Sequence, residues 1–359
     1  MKKKSSQHIS YGKIKTMKAK PLILFIIVCA LLFSGCGNKD EKEDRKVIFT
    51  TGFEENELFF IEDSKCYLPE AKLYINNTAK GYESVYGDDF MDRSIGGTAV
   101  SDKLSSLALS RLAEVKAIGL LAAERGITLD STETEKCAQA ADRYMKSLTE
   151  KDVNELGITD DLLLKMYEDY ALANKVYADI TSGIDPEISD DEARIITIQR
   201  ILIKNENESE AMQTANSIYA MISDGMSFDS LADDYNEDTQ SKYSFGKDTD
   251  EFSSEFVNAC FELSTDEISA PIVSKEGVSI VKCVSSYDME QTDAHKVRMV
   301  ERSRQEAFES VYSAFVKELY TGFNKELWDG QNMTSEELDS DANFFAVYDD
   351  VFITIGGAK

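Results

Sequence analysis

Cysteine and histidine are the residues of this chain best suited to metal binding or nucleophilic chemistry, and their spacing removes most of that chemistry. The 359 residues include six cysteines and two histidines. No two cysteines stand at the Cys-x-x-Cys spacing that zinc sites and thioredoxin-like centres use. Beyond Cys29 and Cys36 the remaining four, Cys66, Cys137, Cys260 and Cys283, are widely separated. They are compatible with disulfides in an oxidising compartment and equally with isolated buried thiols. His295 is the single histidine after residue 36. No metal site and no cofactor is expected.

Cys36 stands apart because of what precedes it. Met1 to Lys20 carries seven lysines and no acid, and Pro21 to Phe33 (PLILFIIVCALLF) is an apolar run ending at Ser34-Gly35-Cys36. A membrane-spanning helix needs about 20 apolar residues, so this shorter run reads as the apolar core of a signal peptide. Its end resembles the bacterial lipobox, a small pair before an obligatory cysteine, and departs from it at Phe33, where that pattern prefers Leu. The resemblance implies cleavage after residue 35 and acylation of the Cys36 thiol, which anchors the chain to the extracytoplasmic face of the cell membrane. A single acyl chain binds a bilayer marginally, so stable anchoring takes more than one. A plain secretory signal with an incidental Cys36 is the other reading. The start is Met1 or Met17.

Charge narrows the partners. Seven of the 39 basic residues precede Cys36, so the 32 that remain face all 66 acids, a net charge of −34. Phosphate backbones demand a basic footprint, so this charge argues against nucleic acid as a partner. The same charge repels acidic lipid and keeps the chain soluble.

Stepping along the chain, Asn38 to Arg45 (NKDEKEDR) has nothing to bury and serves as a tether over 36–46. Val47–Thr51 and Leu58–Ile61 read as short strands. Tyr67–Gly97 is ambiguous, with a possible helix. Ser101 can cap a helix in which Leu104, Ala108, Leu112, Val115, Ile118 and Ala122 share a face, and Gly126 ends it. Thr132–Leu148 is a weaker helix. Thr159 caps another, whose stripe of Leu163, Met166, Tyr167, Tyr170, Ala173 and Tyr177 is core-facing. Gly183-Ile184-Asp185-Pro186 breaks the helical texture. A strand at Ile195–Ile203 follows, then helices at Glu208–Asp224, Phe228–Tyr235 and Phe256–Leu263. Short strands at Tyr243–Gly246, Ala270–Ser274 and Val278–Val284 complete an α+β unit. A long helix over Thr292–Phe323 carries Val297, Val300, Phe308, Val311, Phe315 and Leu319, with Arg304 interrupting that face, and is expected to dock on the N-terminal helices. Asn343–Ile355 is expected to add strands there, and His295 is expected at the surface.

The middle unit resembles a parvulin, the small peptidyl-prolyl isomerase domain, over residues 194 to about 286. Arg200-Ile201-Leu202-Ile203 stands where that family has His-Ile-Leu-Val. Gly225 to Ala232 (GMSFDSLA) matches its glycine, phenylalanine and Leu-Ala. Phe256 to Leu263 (FVNACFEL) matches Phe-x-x-Ala-x-Phe-x-Leu. Ile268–Val273 and Gly277–Val281 match the closing strand pair. With helices on both sides and a lipidated cysteine, the whole is similar to the PrsA/SurA-type extracytoplasmic foldases. That resemblance implies an α+β fold in which a helical lobe from the N- and C-terminal segments holds an inserted parvulin-like small antiparallel sheet with helices. The expected division is 1–35 signal, 36–46 tether, 47–190 helical lobe, 191–287 parvulin-like domain, and 288–359 completing the lobe. The partners implied are unfolded or partly folded secreted polypeptides.

The resemblance also carries site residues. Phe245, Phe252 and Phe256 fall at the proline pocket and Ser274 at its Thr or Ser. Asp238 stands where the family has Cys or Asp. The family's two histidines are replaced by Arg200 and Ser279. Rotation about a peptide bond faces a barrier of about 18–20 kcal/mol, and no bond is broken, so an apolar cup that favours the twisted imide can act without a nucleophile. Arg200 is charged at any pH, and Asp238 is its expected partner. Two functions stay open: a peptidyl-prolyl isomerase and chaperone, or a holdase or scaffold whose parvulin unit no longer turns over. The three phenylalanines are either that cup or plain core.

Overall fold

The computed structural model describes residues 52–204, 207–331, 335 and 338–354. The signal segment, Cys36, the tether and the strand expected at Val47–Thr51 lie outside them. In chain order the elements are β1 (Glu57–Ile61), β2 (Ser64–Tyr67), α1 (Leu68–Tyr86), a 3-10 turn at Asp88–Phe90, β3 (Ser94–Ile95), β4 (Thr98–Ala99), α2 (Val100–Arg125), α3 (Ser131–Ser147), α4 (Glu150–Leu156) and α5 (Asp160–Thr181). There follow α6 (Asp190–Ala193), β5 (Ile196–Ile203), α7 (Glu208–Ser223), α8 (Phe228–Tyr235), β6 (Lys242–Phe245), α9 (Ser254–Phe261), β7 (Ile272–Ser274) and β8 (Gly277–Ser285). The last are α10 (Met289–Val316), β9 (Thr321–Phe323), α11 (Lys325–Gly330) and α12 (Phe344–Thr354). The fold is α+β, and the chain divides into two compact units: one up to Val176 together with Ser313 onward, the other from Tyr177 to Tyr312. The compact middle unit is therefore longer than residues 191–287.

The first unit is tied together by both ends of the chain. β1 pairs with β2 on one edge and with β9 on the other, Phe59 facing Phe323, all antiparallel. α2 ends as its sequence requires, with Gly126 left-handed at φ 67° and its N–H bonded back to Ala122 and Ala123. α3 begins at a capping box in which Asp130 accepts from the Glu133 N–H and Glu133 accepts from that of Asp130. The Thr159 hydroxyl accepts from Leu162 N at 3.2 Å, the cap expected for α5.

The tail is a helix, not strands. Phe344, Val347, Tyr348 and Val351 are all buried, and their spacing is the helical one. The Asn343 side chain caps the first turn through Phe345 N and Ala346 N. A run rich in strand-forming residues thus became helical because a cap and a 3.6-residue apolar stripe act together. Phe344 is fully buried and stacks on Tyr167, centroids 4.0 Å apart and planes 18° apart. Its N–H donates to Asn77 Oδ1 at 2.6 Å, and its carbonyl accepts from the Tyr167 hydroxyl at 3.0 Å. In the same unit Lys116 is buried against Glu70 at 2.5 Å and Asp169 at 3.0 Å.

The second unit is built on a four-stranded antiparallel sheet in the order β6-β5-β8-β7. β5 is one of its two inner strands and is covered on both faces. Ile201 and Ile203 join Ala211, Ala215 and Ile218 of α7 and Phe228 and Leu231 of α8. Ile196 and Ile198 join Phe256, Val257, Cys260 and Phe261 of α9. Strand periodicity places Arg200 on the α9 face, inside the molecule. Gly277 opens β8 at φ +139°, where a Cβ would lie 2.2 Å from the Ile203 carbonyl oxygen, so the β7–β8 turn needs a glycine.

α10 departs from expectation at both ends. It stops at Val316, and Thr321–Phe323 is a strand. As far as Tyr312 it belongs to the second unit. Its inward residues near the start are Thr292 and His295, whereas Val297 is 69% exposed. His295 is buried, not at the surface. Its Nδ1 lies 2.9 Å from the Ala193 carbonyl and its Nε2 3.2 Å from Asp248, which also accepts from Arg302 at 2.9 Å. The imidazole is buried there because both ring nitrogens find acceptors, the buried Ala193 carbonyl on one side and the partly exposed Asp248 carboxylate on the other. Arg304, which breaks the stripe, donates from Nε to the Ile184 carbonyl at 3.0 Å.

Candidate functional site

Arg200 is the most buried large polar side chain of the second unit, 1% exposed, in the middle of β5. A guanidinium taken out of water must have its N–H groups answered, and three groups answer it. Nε donates to Ser279 Oγ at 2.9 Å, Nη1 to Asp238 Oδ2 at 3.3 Å and Nη2 to Glu276 Oε2 at 2.5 Å. Ser279 is delivered by β8, where it pairs with Leu202, two residues along the same face from Arg200. Glu276 comes from the β7–β8 turn.

Asp238 is presented by the loop between α8 and β6, which is laced to β5. Leu202 N donates to Asn236 Oδ1 at 3.0 Å, Glu237 N donates to the Leu202 carbonyl at 2.9 Å, and Arg200 N donates to the Ser241 carbonyl at 2.7 Å. The Tyr243 hydroxyl donates to Asp238 Oδ2 at 2.7 Å. Partial burial alone would raise the Asp238 carboxyl, but the Tyr243 hydroxyl, the Thr239 N–H and the Arg200 charge outweigh it and hold it below its ordinary value. Burial and the bond to that carboxylate push the Tyr243 phenol up to about 12.

The aromatic residues gather beside this network. Phe252 lies 5.1 Å from Phe245, 5.0 Å from Phe256 and 5.2 Å from Tyr243, centroid to centroid. Phe245 and Phe256 are buried at 5% and 1% exposure, while Phe252 is only partly buried and packs against the cluster. The Arg200 guanidinium carbon stands 5.5 Å from the Phe252 centroid and 5.1 Å from that of Phe256, within cation–π range. The three rings form a joined group, and a charged group of the chain itself occupies the space beside two of them.

Arg200, Ser279, Asp238, Phe252 and Phe256 are thus brought together, with Phe245 one ring further in. Ser274 is not part of this contact set: its hydroxyl accepts from Glu276 N and donates to the Gly277 carbonyl, both at 3.3 Å. It shapes the turn that carries Glu276. Sequence reasoning missed Glu276 and Tyr243. Tyr243 had a signal, since it precedes Phe245 by two on one strand face; Glu276 sits on a turn and had none. Among the described residues no group of three or more His, Cys, Asp or Glu side chains could hold a metal ion. Nothing in the network acts as a nucleophile: its carboxylates are engaged by cations and its serine hydroxyl is a hydrogen-bond acceptor for Arg200.

Residues 195–285 match the family described as rotamase, the PPIC-type PPIASE domain. That match lies within the second unit and spans its four-stranded sheet. The chain is similar to a foldase protein PrsA of Caldanaerobacter subterraneus subsp. tengcongensis, 25% identical over 202 residues, covering 55% of this chain and 62% of that one. A foldase protein PrsA of Bacillus cereus is 32% identical over 117 residues, 31% of this chain and 38% of that one. The chain thus spans less than two thirds of the curated relatives it matches. Among solved structures, a peptidylprolyl isomerase (PrsA) from Bacillus cereus is 14% identical over 73% of this chain and 97% of that one, with a TM-score of 0.35.

Proposed function

We propose that the chain is a membrane-anchored foldase of the extracytoplasmic face, which binds unfolded or partly folded secreted polypeptides and carries a parvulin-type peptidyl-prolyl isomerase domain. The lipidated Cys36 is its anchor, and the domains are the signal at 1–35, the tether at 36–46, a helical lobe at 47–190 and 288–359, and the parvulin unit at 191–287. The observation that carries the reading is the assembly of Phe252 and Phe256 beside Arg200, Ser279 and Asp238 at the positions that the parvulin resemblance assigns to the site.

The chemistry follows from what a proline needs. Its isomerisation takes tens of seconds unaided, and a site accelerates it by holding the ring against apolar walls and favouring the twisted imide over the planar one. Phe252 is the wall nearest solvent, with Phe245 and Phe256 fixing its position from behind. Asp238, held ionised by Tyr243 and Arg200, and Ser279 position the guanidinium.

The buried guanidinium favours a second reading, a holdase or scaffold with a parvulin unit that no longer turns over. Arg200 lies over the rings on which a proline would rest, and its three bonds hold it there. The two readings separate in one pair of measurements on the chain from Val47 onward: cis–trans isomerisation of a proline tetrapeptide, and suppression of aggregation of a denatured protein. Activity in both supports the foldase. Suppression without isomerisation supports the holdase, and absence of both would sink each of them.

A further inference from the structure

The loop that brings Phe252 to the aromatic group is held by a helix outside the residues that match the parvulin family. β6 ends at Phe245 and α9 begins at Ser254, so residues 246–253 join the two. The loop's own bonds are short-range: Thr249 N donates to the Gly246 carbonyl and Glu251 N to the Thr249 hydroxyl, both at 3.3 Å. Such bonds shape a turn without fixing where it stands. Lys247 pairs with Asp191 at 3.3 Å, but both are exposed, and exposed pairs contribute little.

Asp248 supplies the firm anchor. His295 Nε2 lies 3.2 and 3.3 Å from its two carboxylate oxygens, and Arg302 Nη1 lies 2.9 Å from Oδ2. Both partners belong to α10, which begins at Met289, beyond the matched residues 195–285. The approach is close: a Cβ on Gly246 would stand 2.8 Å from His295 Cε1 and 2.8 Å from Asp248 Oδ1. His295 itself is 5% exposed.

The same contacts fix the protons. A carbonyl oxygen only accepts, so Nδ1, 2.9 Å from that of Ala193 at the end of α6, carries a hydrogen. Partial burial alone would raise the Asp248 carboxyl, but the bond from Arg302 and the charges of His295 and Arg302 outweigh it and hold it below its ordinary value. Asp248 is therefore an acceptor and Nε2 a donor, and only the imidazolium has two donors. The other charged groups nearby are paired among themselves, Asp190 with Lys296, and Asp191 with Arg194 at 3.6 Å besides Lys247.

The geometry points to His295 as a positioning residue of the proline site: its imidazolium ties Asp248 to the buried end of α6 and so fixes the loop that sets Phe252 against Phe245 and Phe256. The inference rests on the isomerase reading for what Phe252 touches, and on the clasp alone for the order of the loop.

The chain from Val47 onward contains no other histidine, so labelling histidine with nitrogen-15 reads this ring alone. NMR should show both ring nitrogens protonated at neutral pH. His295→Asn keeps a donor for Ala193 but is too short to reach Asp248. It should lower the hydrogen-exchange protection of residues 246–253 about tenfold, the scale of one hydrogen bond, and leave α7 and α8 unchanged. Asp248→Ala cuts the same bond from the loop side and supplies the measurement if His295→Asn misfolds. The double variant should be no less protected than Asp248→Ala alone. Raising the pH until one ring nitrogen loses its proton should bring the unmodified chain to the protection of His295→Asn. A ring with one bare nitrogen at neutral pH, or undiminished protection of the loop in both variants, overturns the inference.

Turnover of a proline tetrapeptide keeps the two readings apart. His295→Asn should raise KM more than it lowers kcat, because the Phe252 wall is loosened rather than removed. Absence of turnover in the unmodified chain sinks the isomerase reading, and hydrogen exchange still decides the clasp. Turnover with KM unmoved by a loosened loop overturns the positioning role and leaves the isomerase standing.

Discussion

Arg200 and Ser279 are bonded directly to each other across β5 and β8, Nε to Oγ at 2.9 Å. The guanidinium also holds Asp238 at 3.3 Å and Glu276 at 2.5 Å, so one buried cation joins three groups of the second unit into an ion network.

Removing the cation alone should therefore cost more than removing the network. Arg200→Met leaves Asp238 without its cation beside an apolar cluster, and a destabilisation of about 2–4 kcal/mol is expected, reduced from the fully buried case because Glu276 is half in water. Adding Asp238→Asn and Glu276→Gln to it should recover most of that loss. Urea midpoints of the single and triple variants decide the matter; equal midpoints would show that the charges do not act as a unit.

The same network sets a pH dependence. Asp238 titrates lower in the folded chain than in the unfolded one, so its contribution is complete above the unfolded value of about 3.9 and is lost as pH falls through the folded value. Stability of the wild type should decline more steeply than that of Asp238→Asn on going from about pH 5 to pH 3. Parallel curves would mean that the carboxylate contributes nothing.

Phe344→Ala should unfold the first unit more readily than any surface change in the tail. The side chain is fully buried and stacks on Tyr167, with edge contacts to Tyr144 at 6.0 Å and Tyr170 at 6.0 Å. Loss of about 3–5 kcal/mol is expected for a truncation of this kind. Thermal denaturation of the whole chain reads it, and a midpoint within experimental error of wild type would contradict the assignment of α12 to the core.

The four cysteines after Cys36 should be silent until the protein unfolds. Cys66, Cys137, Cys260 and Cys283 are free and buried. Burial pushes the thiols of Cys137 and Cys260 up to about 12 and raises those of Cys66 and Cys283. Since the thiolate is the reactive form, a thiol reagent should label none of them in native buffer and all four in denaturant. Rapid native labelling would place at least one at the surface.

Local signals were legible in the amino-acid order alone. The cap at Thr159 and the stop at Gly126 rest on contacts a few residues apart, and side-chain type suffices for those. The strands of 195–285 showed in their apolar runs and in the parvulin resemblance. Arg200 and its expected partner Asp238 came from the parvulin resemblance rather than from local pattern, and the ion pair between them is seen at 3.3 Å. What only the tertiary structure decided involves groups distant in sequence. Glu276 reaches Arg200 across a turn, Phe344 finds Asn77 and Tyr167 from the other end of the chain, and His295 is drawn inward by Ala193 and Asp248. Each is a buried polar or aromatic group whose free energy depends on what surrounds it in space, and a linear pattern carries no record of that neighbourhood.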